Sequence, residues 1–469
     1  NSIIKVELPR QKVLIFTKLF FNVYLIKVWS RLFFESYYIC GMKSRNTIMT
    51  FLAWSAVIVL ASCEKINEHE PDYADHVRHA VLLYSAGYNS LSYDMDADIQ
   101  EMTEGYLPSK GSTDGAVLVY SKKTVSSGNY KTPTDSYLIR LYRNKKGAAV
   151  MDTVHTWSSD YVAASSRTVN EVLSYVKTNY PADSYGLIFS SHATGWLPAG
   201  YYSSGKITDF AVPFGTGHAD GLKPVPFVEM PREAGEPRVK SIGADNINSS
   251  STYEMEVNAF ASSIPMYLDY IIMDCCLMGG VEVAYELKDV CGKLVFSQTE
   301  VLADGLCNYT NVIGRLLNSS EPDLKGLCED AYKHYDSQSG SYRSLTISMI
   351  DCAKLGPLAE ACAKLFSDYR GKMAIVNPSS VQHYFRYNKH WFYDLEDILV
   401  QSGASDEDLK PLKSAMSQCV LYNEATPSFL SIPIKTHCGL SMYLPADGDP
   451  ELDTFYRTLS WNTATHLVL

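Results

Sequence analysis

Asp269–Gly279 reads Asp-Tyr-Ile-Ile-Met-Asp-Cys-Cys-Leu-Met-Gly, and this stretch decides the fold of the chain. Its first half is a short apolar run with β-branched residues, which stops at an acid followed by two cysteines. A helical pattern begins soon after, at Val281. This order predicts a buried strand that delivers a thiol to the edge of a parallel sheet, where α/β folds place their functional groups.

A second stretch has the same design. Tyr185–Ser191 reads Tyr-Gly-Leu-Ile-Phe-Ser-Ser and is followed directly by His192. Because the carboxyl ends of parallel strands meet at one edge of a sheet, we expect His192 and Cys276 to lie close together. An imidazole can take the proton of a thiol and later deliver one to a leaving amine, while the thiolate attacks. The two stretches therefore predict a cysteine–histidine hydrolase, in which the backbone amides of Ala193 and Cys276 are candidates for stabilising an oxyanion.

Asp274 lies two residues before Cys276, so strand alternation places the acid and the thiol on one face. Two roles fit this position. The carboxylate could bind a basic side chain beside the scissile bond, or it could cap the following helix, for which Asp is well suited. The sequence leaves both roles open.

Strand and helix patterns alternate along most of the chain. Ala80–Ser85, Ala116–Tyr120, Lys293–Ser297 and Leu440–Leu444 read as strands, and Ser166–Tyr180 and Glu254–Pro265 read as helices. This order predicts an α/β fold with a mostly parallel sheet covered by helices on both sides. Residues 197–248 lack periodicity and are rich in proline, and a loop of that length is usually functional or disordered.

The beginning of the chain carries the pattern of an export signal. Met42 is followed by basic residues, by the apolar run Ile48–Leu60, and by Ala61-Ser62-Cys63. The pattern resembles the lipobox of bacterial lipoproteins, in which the cysteine is lipidated; an ordinary signal peptide or a core helix is the alternative. Three segments are therefore expected: residues 1–41 as a non-native upstream segment, residues 42–62 as a lipoprotein signal peptide, and residues 63–77 as the lipidated Cys63 with its tether.

The composition excludes several classes of function. The chain has 469 residues and a net charge of −11, and removing residues 1–62 takes away eight Lys/Arg and two Asp/Glu, which leaves −17. Such an acidic protein is a poor candidate for binding nucleic acid. The 11 cysteines include no C-x-x-C pair, which argues against a structural zinc site. In an exported protein they permit disulfides without requiring them.

Two motifs resemble those of the clostripain-type cysteine peptidases, which are relatives of the caspases, gingipains and legumains. The family pattern Ser-His-Gly-x-Gly-Trp corresponds to Ser191–Trp196, and Asp-x-Cys-Leu-Met corresponds to Asp274–Met278. Further pieces, Ser297–Gly305 and Gly439–Pro445, extend the resemblance over residues 78–445. It implies a caspase-like α/β/α sandwich in one elaborated domain, with a catalytic core at 78–340, the long loop at 197–248 and a C-terminal part at 341–469.

The resemblance also implies roles for particular residues. His192 and Cys276 would form the catalytic dyad, and Asp274 and Asp304 would be acids of the S1 pocket in an enzyme that cleaves after Arg or Lys. The long loop would be cut during maturation, with Lys206 and Arg232 as candidate sites. Some members of the family depend on calcium, but the sequence has no dedicated calcium motif, and no metal ligand is assigned.

The chain departs from the family pattern at one position and doubles a residue at another. Ala193 replaces the usual Gly, and its methyl group would crowd the substrate or forbid a positive φ, although its amide remains. Cys275 precedes Cys276, but strand alternation puts the two on opposite sides, and the motif position favours Cys276 as the nucleophile.

The expected protein is thus a lipid-anchored cysteine endopeptidase of the bacterial cell envelope, at the outer membrane or cell surface, acting on peptide or protein substrates. The rival, favoured by Ala193, is a non-catalytic surface lipoprotein that uses the same scaffold to bind protein or glycan.

Overall fold

The computed structural model describes residues 72–126, 129–201, 225–226, 245–248, 251–386 and 389–469, which belong to one compact unit. Four of the sequence predictions fall outside these residues: the upstream segment with the signal peptide, the lipidated Cys63, most of the long loop, and the processing candidates Lys206 and Arg232. They therefore stay predictions.

Sixteen strands occur in this part of the chain. In chain order they are β1 (Val77–Gly87), β2 (Gly115–Lys123), β3 (Ser136–Arg143), β4 (Ala149–Trp157), β5 (Ala182–Ser190), β6 (Val225–Pro226), β7 (Asp245–Asn248), β8 (Ser251–Tyr253), β9 (Leu268–Asp274), β10 (Cys291–Phe296), β11 (Thr346–Asp351), β12 (Tyr393–Asp394), β13 (Val420–Ala425), β14 (Ser428–Phe429), β15 (Ile432–Pro433) and β16 (Ser441–Met442).

Eleven α-helices alternate with these strands. They are α1 (Ser92–Glu104), α2 (Ser166–Asn179), α3 (Val257–Ser263), α4 (Val281–Leu287), α5 (Tyr309–Leu317), α6 (Leu324–Asp336), α7 (Leu355–Met373), α8 (Leu395–Gln401), α9 (Asp406–Cys419), α10 (Pro450–Tyr456) and α11 (Ser460–Thr465).

A nine-stranded sheet forms the centre of the unit, in the order β13-β11-β10-β9-β5-β1-β2-β3-β4. The five middle strands, from β10 to β2, run parallel, and antiparallel pairs complete both edges. The middle strands are almost wholly buried, as expected for parallel strands covered on both faces, whereas the edge strand β4 is only partly buried. The expected α/β class with a mostly parallel sheet is confirmed.

Helices cover the two faces of the sheet. Asp274, at the end of β9, contacts Tyr309 of α5, whereas the ring of Phe189 in β5 lies 4.8 Å from that of Phe260 in α3, centroid to centroid. Phe189 pairs with Met273 in the sheet, and Met273 precedes Asp274, so these contacts mark opposite faces. Helices α1, α5 and α6 pack together on the first face, and α2, α3 and α4 pack together on the second.

The C-terminal part closes onto the segment that follows Cys276. β11 and β13 extend the central sheet, and the Ser441 amide donates to the Gly279 carbonyl at 2.9 Å. The buried Glu282 accepts hydrogen bonds from the Tyr443 amide (2.8 Å) and the Tyr456 hydroxyl (2.7 Å), and burial raises its pKa to about 7. The C-terminal part therefore supports the loop that carries the thiol.

Two elements are shorter than the sequence predicts. The helix expected at Glu254–Pro265 begins only at Val257, because Glu254 is hydrogen-bonded to the Gly200 amide and Glu256 is extended. The strand expected at Leu440–Leu444 is reduced to Ser441–Met442, which pairs with the equally short β12. Among the described residues, no helix is long and apolar enough to span a membrane.

The pairing of β5 with β9 depends on a close approach that we expect Gly186→Ala to disrupt. A Cβ on Gly186 would lie 1.9 Å from Cζ of its register partner Tyr270, whose side chain is buried. Because the ring or the strand must move, the free energy of unfolding should fall by about 3 kcal/mol, at the upper end for overpacking. Urea denaturation measures this change.

Gly371→Ala in α7 is the matched control. A Cβ on Gly371 meets nothing within 4 Å, so alanine should be neutral or should raise the free energy of unfolding by up to about 1 kcal/mol. Equal changes in the free energy of unfolding for Gly186→Ala and Gly371→Ala would contradict the importance of the contact between Gly186 and Tyr270.

Candidate active site

The register of β5 and β9 brings the two principal candidates to one place. The last pair of these parallel strands is Ser190 with Asp274, and His192 and Cys276 each lie two residues beyond that pair. Both side chains are buried, with 4% and 1% of their surface exposed. The structure thus places imidazole and thiol at the carboxyl edge of neighbouring strands.

The two loops that follow these strands touch each other. Gly195 has a φ of 62°, and a Cβ on it would lie 2.6 Å from the Leu277 carbonyl oxygen. Leu277 itself has a φ of 61°, a conformation that costs a branched residue roughly 1–2 kcal/mol and is found mainly where function needs it. Its amide donates to the Thr299 carbonyl at 2.9 Å, which fixes the sharp turn just after the thiol.

Val301 makes polar contacts with the Cys276 sulfur. The Val301 amide donates to Sγ at 3.2 Å, and the Val301 carbonyl oxygen lies 3.9 Å from Sγ. Cys275 points elsewhere: its side chain is completely buried, and its Sγ lies 3.5 Å from the Phe189 carbonyl oxygen. The strand alternation expected for the two cysteines agrees with these contacts.

The segment that contains Val301 is held by buried polar groups. The Thr346 hydroxyl contacts both Ser297 (2.9 Å) and Thr299 (3.1 Å). Glu300 accepts two hydrogen bonds from the Arg386 guanidinium, at 2.8 and 3.0 Å, and the side chains of this ion pair are only 3% and 9% exposed. Breaking a pair buried to this degree is costly, so it fixes the segment beside Cys276.

Ser90 is within hydrogen-bond distance of His192. Its Oγ lies 3.3 Å from His192 Nε2, and it follows the end of β1, the strand on the other side of β5. Ala193 is half-buried, and it is not among the described non-glycine residues with positive φ, which are Leu277, Trp391, Leu430 and His466. The alanine at this position therefore causes no backbone strain.

Asp274 is fully buried and holds neighbouring segments together. Its Oδ2 accepts from the Ser190 hydroxyl (3.0 Å) and the Tyr309 hydroxyl (2.6 Å), and its Oδ1 accepts from the Leu306 amide (2.6 Å). The helix-capping interpretation is wrong, because α4 begins at Val281 with Gly280 as its N-cap, six residues beyond Asp274. The acid instead ties the end of β9 to the loop before α5.

An acidic cavity of about 370 Å³ lies on the α1 and α5 face. Asp304 is exposed in its wall. The pKa of Glu101 is raised, first by burial and then by the negative charges of Glu104 and Asp304. Gly305 also lines it, and a Cβ there would lie 3.3 Å from Asp274 Oδ2, so Asp274 lies just behind the wall. The acids that line this acidic cavity are Asp94, Asp98, Glu101, Glu104 and Asp304.

A smaller cavity of about 60 Å³ lies beside His192 and is called the methionine pocket below. Glu254 is in its wall, where its Oε2 accepts from the Gly200 amide at 2.8 Å and burial raises its pKa to about 7. Apolar side chains form most of the remaining wall. The residues that define the pocket are His192, Glu254, Met255, Phe260, Met273 and Met278.

The described residues contain no cluster of three or more side chains suited to hold a metal ion. The nine cysteines between Cys275 and Cys438 are free thiols in this structure.

Several site residues had no assigned role in the sequence analysis. Ser90, Val301 and the buried Glu300–Arg386 pair were missed, although Val301 and Glu300 belong to the Ser297–Gly305 stretch that resembles a family motif. No sequence pattern marked Arg386 or Glu254. Arg386 pairs with the distant Glu300, and the long loop separates Glu254 from its partner Gly200.

Comparison with known proteins relates this arrangement to a family. The model of the clostripain family matches residues 83–210 and 231–465. The structure of an inactive zymogen C11 protease from Parabacteroides distasonis is 26% identical, with 84% of this chain and 99% of that chain covered at a TM-score of 0.64. A search of curated proteins finds no significant match.

Two structures of secreted C11 cysteine proteases from Bacteroides thetaiotaomicron share the fold. One, in complex with an irreversible peptide inhibitor, is 22% identical, with 84% of this chain and 99% of that chain covered at a TM-score of 0.62. The other, called iotapain, is 21% identical, with 83% and 99% covered at a TM-score of 0.63.

Proposed function

We propose that this chain, a cysteine endopeptidase that belongs to the clostripain family, cleaves peptide bonds after Arg or Lys with His192 and Cys276 as its catalytic dyad. The observation that carries the proposal is the direct parallel pairing of β5 with β9, which ends in register at Ser190 and Asp274. His192 and Cys276 each follow two residues beyond that pair, at the same edge of the sheet, and proton transfer requires the imidazole and the thiol to be close neighbours.

The surroundings of each group fit its chemical role. The Cys276 thiolate attacks the scissile carbonyl carbon, and the Val301 amide, which donates to Sγ at 3.2 Å, stabilises the negative sulfur. The oxyanion that forms is stabilised by the backbone amides of Ala193 and Cys276. His192 donates the former thiol proton to the amine, the C–N bond breaks, and a thioester remains. Water then attacks the thioester with His192 as base, which releases the acid and restores the thiol.

The acidic cavity supports a preference for a basic residue before the scissile bond. Its loop wall begins at Ala303, two residues after Val301, which contacts the nucleophile, and it includes the exposed Asp304. A guanidinium or ammonium group there meets carboxylates from two segments, in partly desolvated surroundings where charge attraction is stronger than in water. Asp274 supports this S1 pocket from behind, because it fixes the Leu306 amide.

The rival function without catalysis loses one of its two arguments, the need for glycine at a positive φ. It rested on the methyl group of Ala193, yet this residue lies outside the positive-φ region that would have required glycine. The family membership and the retained dyad residues both favour the enzyme.

Labelling with an Arg-directed acyloxymethyl ketone tests the nucleophile. We expect covalent labelling of the natural chain, either intact or nicked within the long loop, and equal labelling of Cys275→Ala. Labelling should disappear in Cys276→Ala and fall strongly in His192→Ala, because the thiol then lacks its proton acceptor. Intact-mass spectrometry measures the adduct. A natural chain that stays unlabelled in both forms would favour the non-catalytic rival.

Asp304→Asn tests the specificity. Loss of one carboxylate from the acidic cavity removes an interaction of about 1.5–3 kcal/mol with a cationic side chain. We therefore expect kcat/KM for an Arg substrate to fall about 10- to 100-fold, while the rate of alkylation of Cys276 by iodoacetamide stays constant. Asp289→Asn changes the net charge equally at an exposed acid outside the cavity, and should have no effect. Equal rates for Asp304→Asn and Asp289→Asn would refute this role.

Export and lipid anchoring through Cys63 are part of the proposal, supported by the basic residues after Met42, the apolar run and the cysteine that follows. Metabolic labelling with a radioactive fatty acid in a bacterial host should mark the natural chain and not Cys63→Ser. Equal incorporation into both would refute the anchor.

A further inference from the structure

The acidic cavity and the methionine pocket lie on opposite sides of the strand ends that carry the dyad. Asp274, behind the acidic cavity, contacts Tyr309 of α5. Met273, the residue before it, lines the methionine pocket together with Phe260 of α3. Because successive side chains of a strand point to opposite faces, a peptide that crosses the ends of β5 and β9 can reach both cavities.

The identity of the dyad residues orients such a peptide. The Cys276 sulfur bonds to the carbonyl carbon of the residue before the scissile bond, whereas His192 must donate a proton to the amine of the residue after it. The wall of the methionine pocket includes His192 and the Ala193–Gly195 turn, whereas the acidic cavity adjoins the loop that contacts Cys276. The leaving residue therefore lies on the side of the methionine pocket.

We propose that the methionine pocket is the subsite for the residue after the scissile bond, the P1′ residue, and that it selects a small uncharged side chain. This inference rests on the proposed function, since it uses the roles of His192 and Cys276.

The volume of the pocket limits the side chain. Its volume of about 60 Å³ is less than half that of an apolar cavity that accepts benzene, which is roughly 150 Å³, so the pocket suits Ala, Ser or Val better than an aromatic ring. Phe260 is a buried wall residue of α3, and Met273 is completely buried in β9, so this part of the pocket cannot widen without disturbing the core.

The residues that line the methionine pocket disfavour a charged P1′ side chain. Apart from His192, the titratable residue that lines the methionine pocket is Glu254, whose Oε1 is buried and has no hydrogen-bond partner in the described part of the chain. An acidic P1′ side chain would be desolvated against apolar groups and would face this carboxyl group, with no cation among the lining residues other than a protonated His192 to compensate. A small apolar side chain at P1′ avoids both the desolvation of a charge and the unfavourable approach to the Glu254 carboxyl group.

Internally quenched peptides with Arg before the scissile bond and Ala, Val, Leu, Phe or Asp after it test the inference on the natural chain. We expect kcat/KM for Ala and Val to exceed that for Phe and Asp at least tenfold. Met255→Ala, which removes a half-buried wall residue, should reduce the Ala-to-Phe ratio at least threefold. Met416→Ala, at a buried methionine of α9 outside the pocket, should leave the ratio unchanged. Glu254→Gln should raise the relative rate for Asp.

Labelling with an Arg chloromethyl ketone, which has no P1′ side chain, separates the two hypotheses. Labelling of the natural chain and of Met255→Ala at equal rates, together with cleavage rates that do not depend on P1′, would overturn this inference and leave the proposed function intact. The inference would also be overturned if Met255→Ala changed the preference for the residue that precedes Arg, the P2 residue. Absence of both labelling and cleavage would refute the proposed function itself.

Discussion

The site depends on the parallel pairing of β5 with β9. These strands run in register from Gly186 with Tyr270 to Ser190 with Asp274, and the imidazole and the thiol follow at equal separations. A slip of one residue would turn every side chain of one strand to the opposite face, exposing Asp274 to the apolar layer and moving Cys276 away from Val301. The small Gly186 opposite the large Tyr270 helps to fix the register, because a Cβ at this position would lie 1.9 Å from the tyrosine ring.

Buried carboxylates connect this edge of the sheet to distant parts of the chain. Asp274 binds the loop before α5, Glu300 binds Arg386, and Glu282 binds the C-terminal tyrosines Tyr443 and Tyr456. A carboxylate is costly to bury, and each of these recovers the cost through at least two hydrogen bonds. The bonds specify where each segment must lie, so the loops beside His192 and Cys276 are placed by polar contacts as well as by apolar packing.

The pattern of apolar runs that end close to His192 and Cys276 was sufficient to predict the parallel sheet and the two strand ends. Those predictions depend only on local sequence, because a strand that is buried on both faces requires a continuous run of apolar residues. The role of Asp274 could not be found in that way. The helix that follows made capping one of two open interpretations, but Asp274 accepts hydrogen bonds from Leu306 and Tyr309, which belong to a loop and a helix further along the chain. Glu254 was equally hidden, because its partner Gly200 lies across the long loop. Local sequence patterns therefore identify the reactive side chains, whereas tertiary contacts determine how those side chains are positioned.

The departure at Ala193 shows the same distinction. Comparison of motifs made the methyl group an argument against catalysis, because glycine at such a position can indicate a positive φ. Here the left-handed conformation falls on Gly195 and on Leu277 instead, where the two loops approach each other. Strain is therefore stored directly after Cys276, and the buried contacts of Thr299 and Val301 maintain it. An alanine beside His192 is compatible with this arrangement, since the amide that an oxyanion needs does not depend on the side chain.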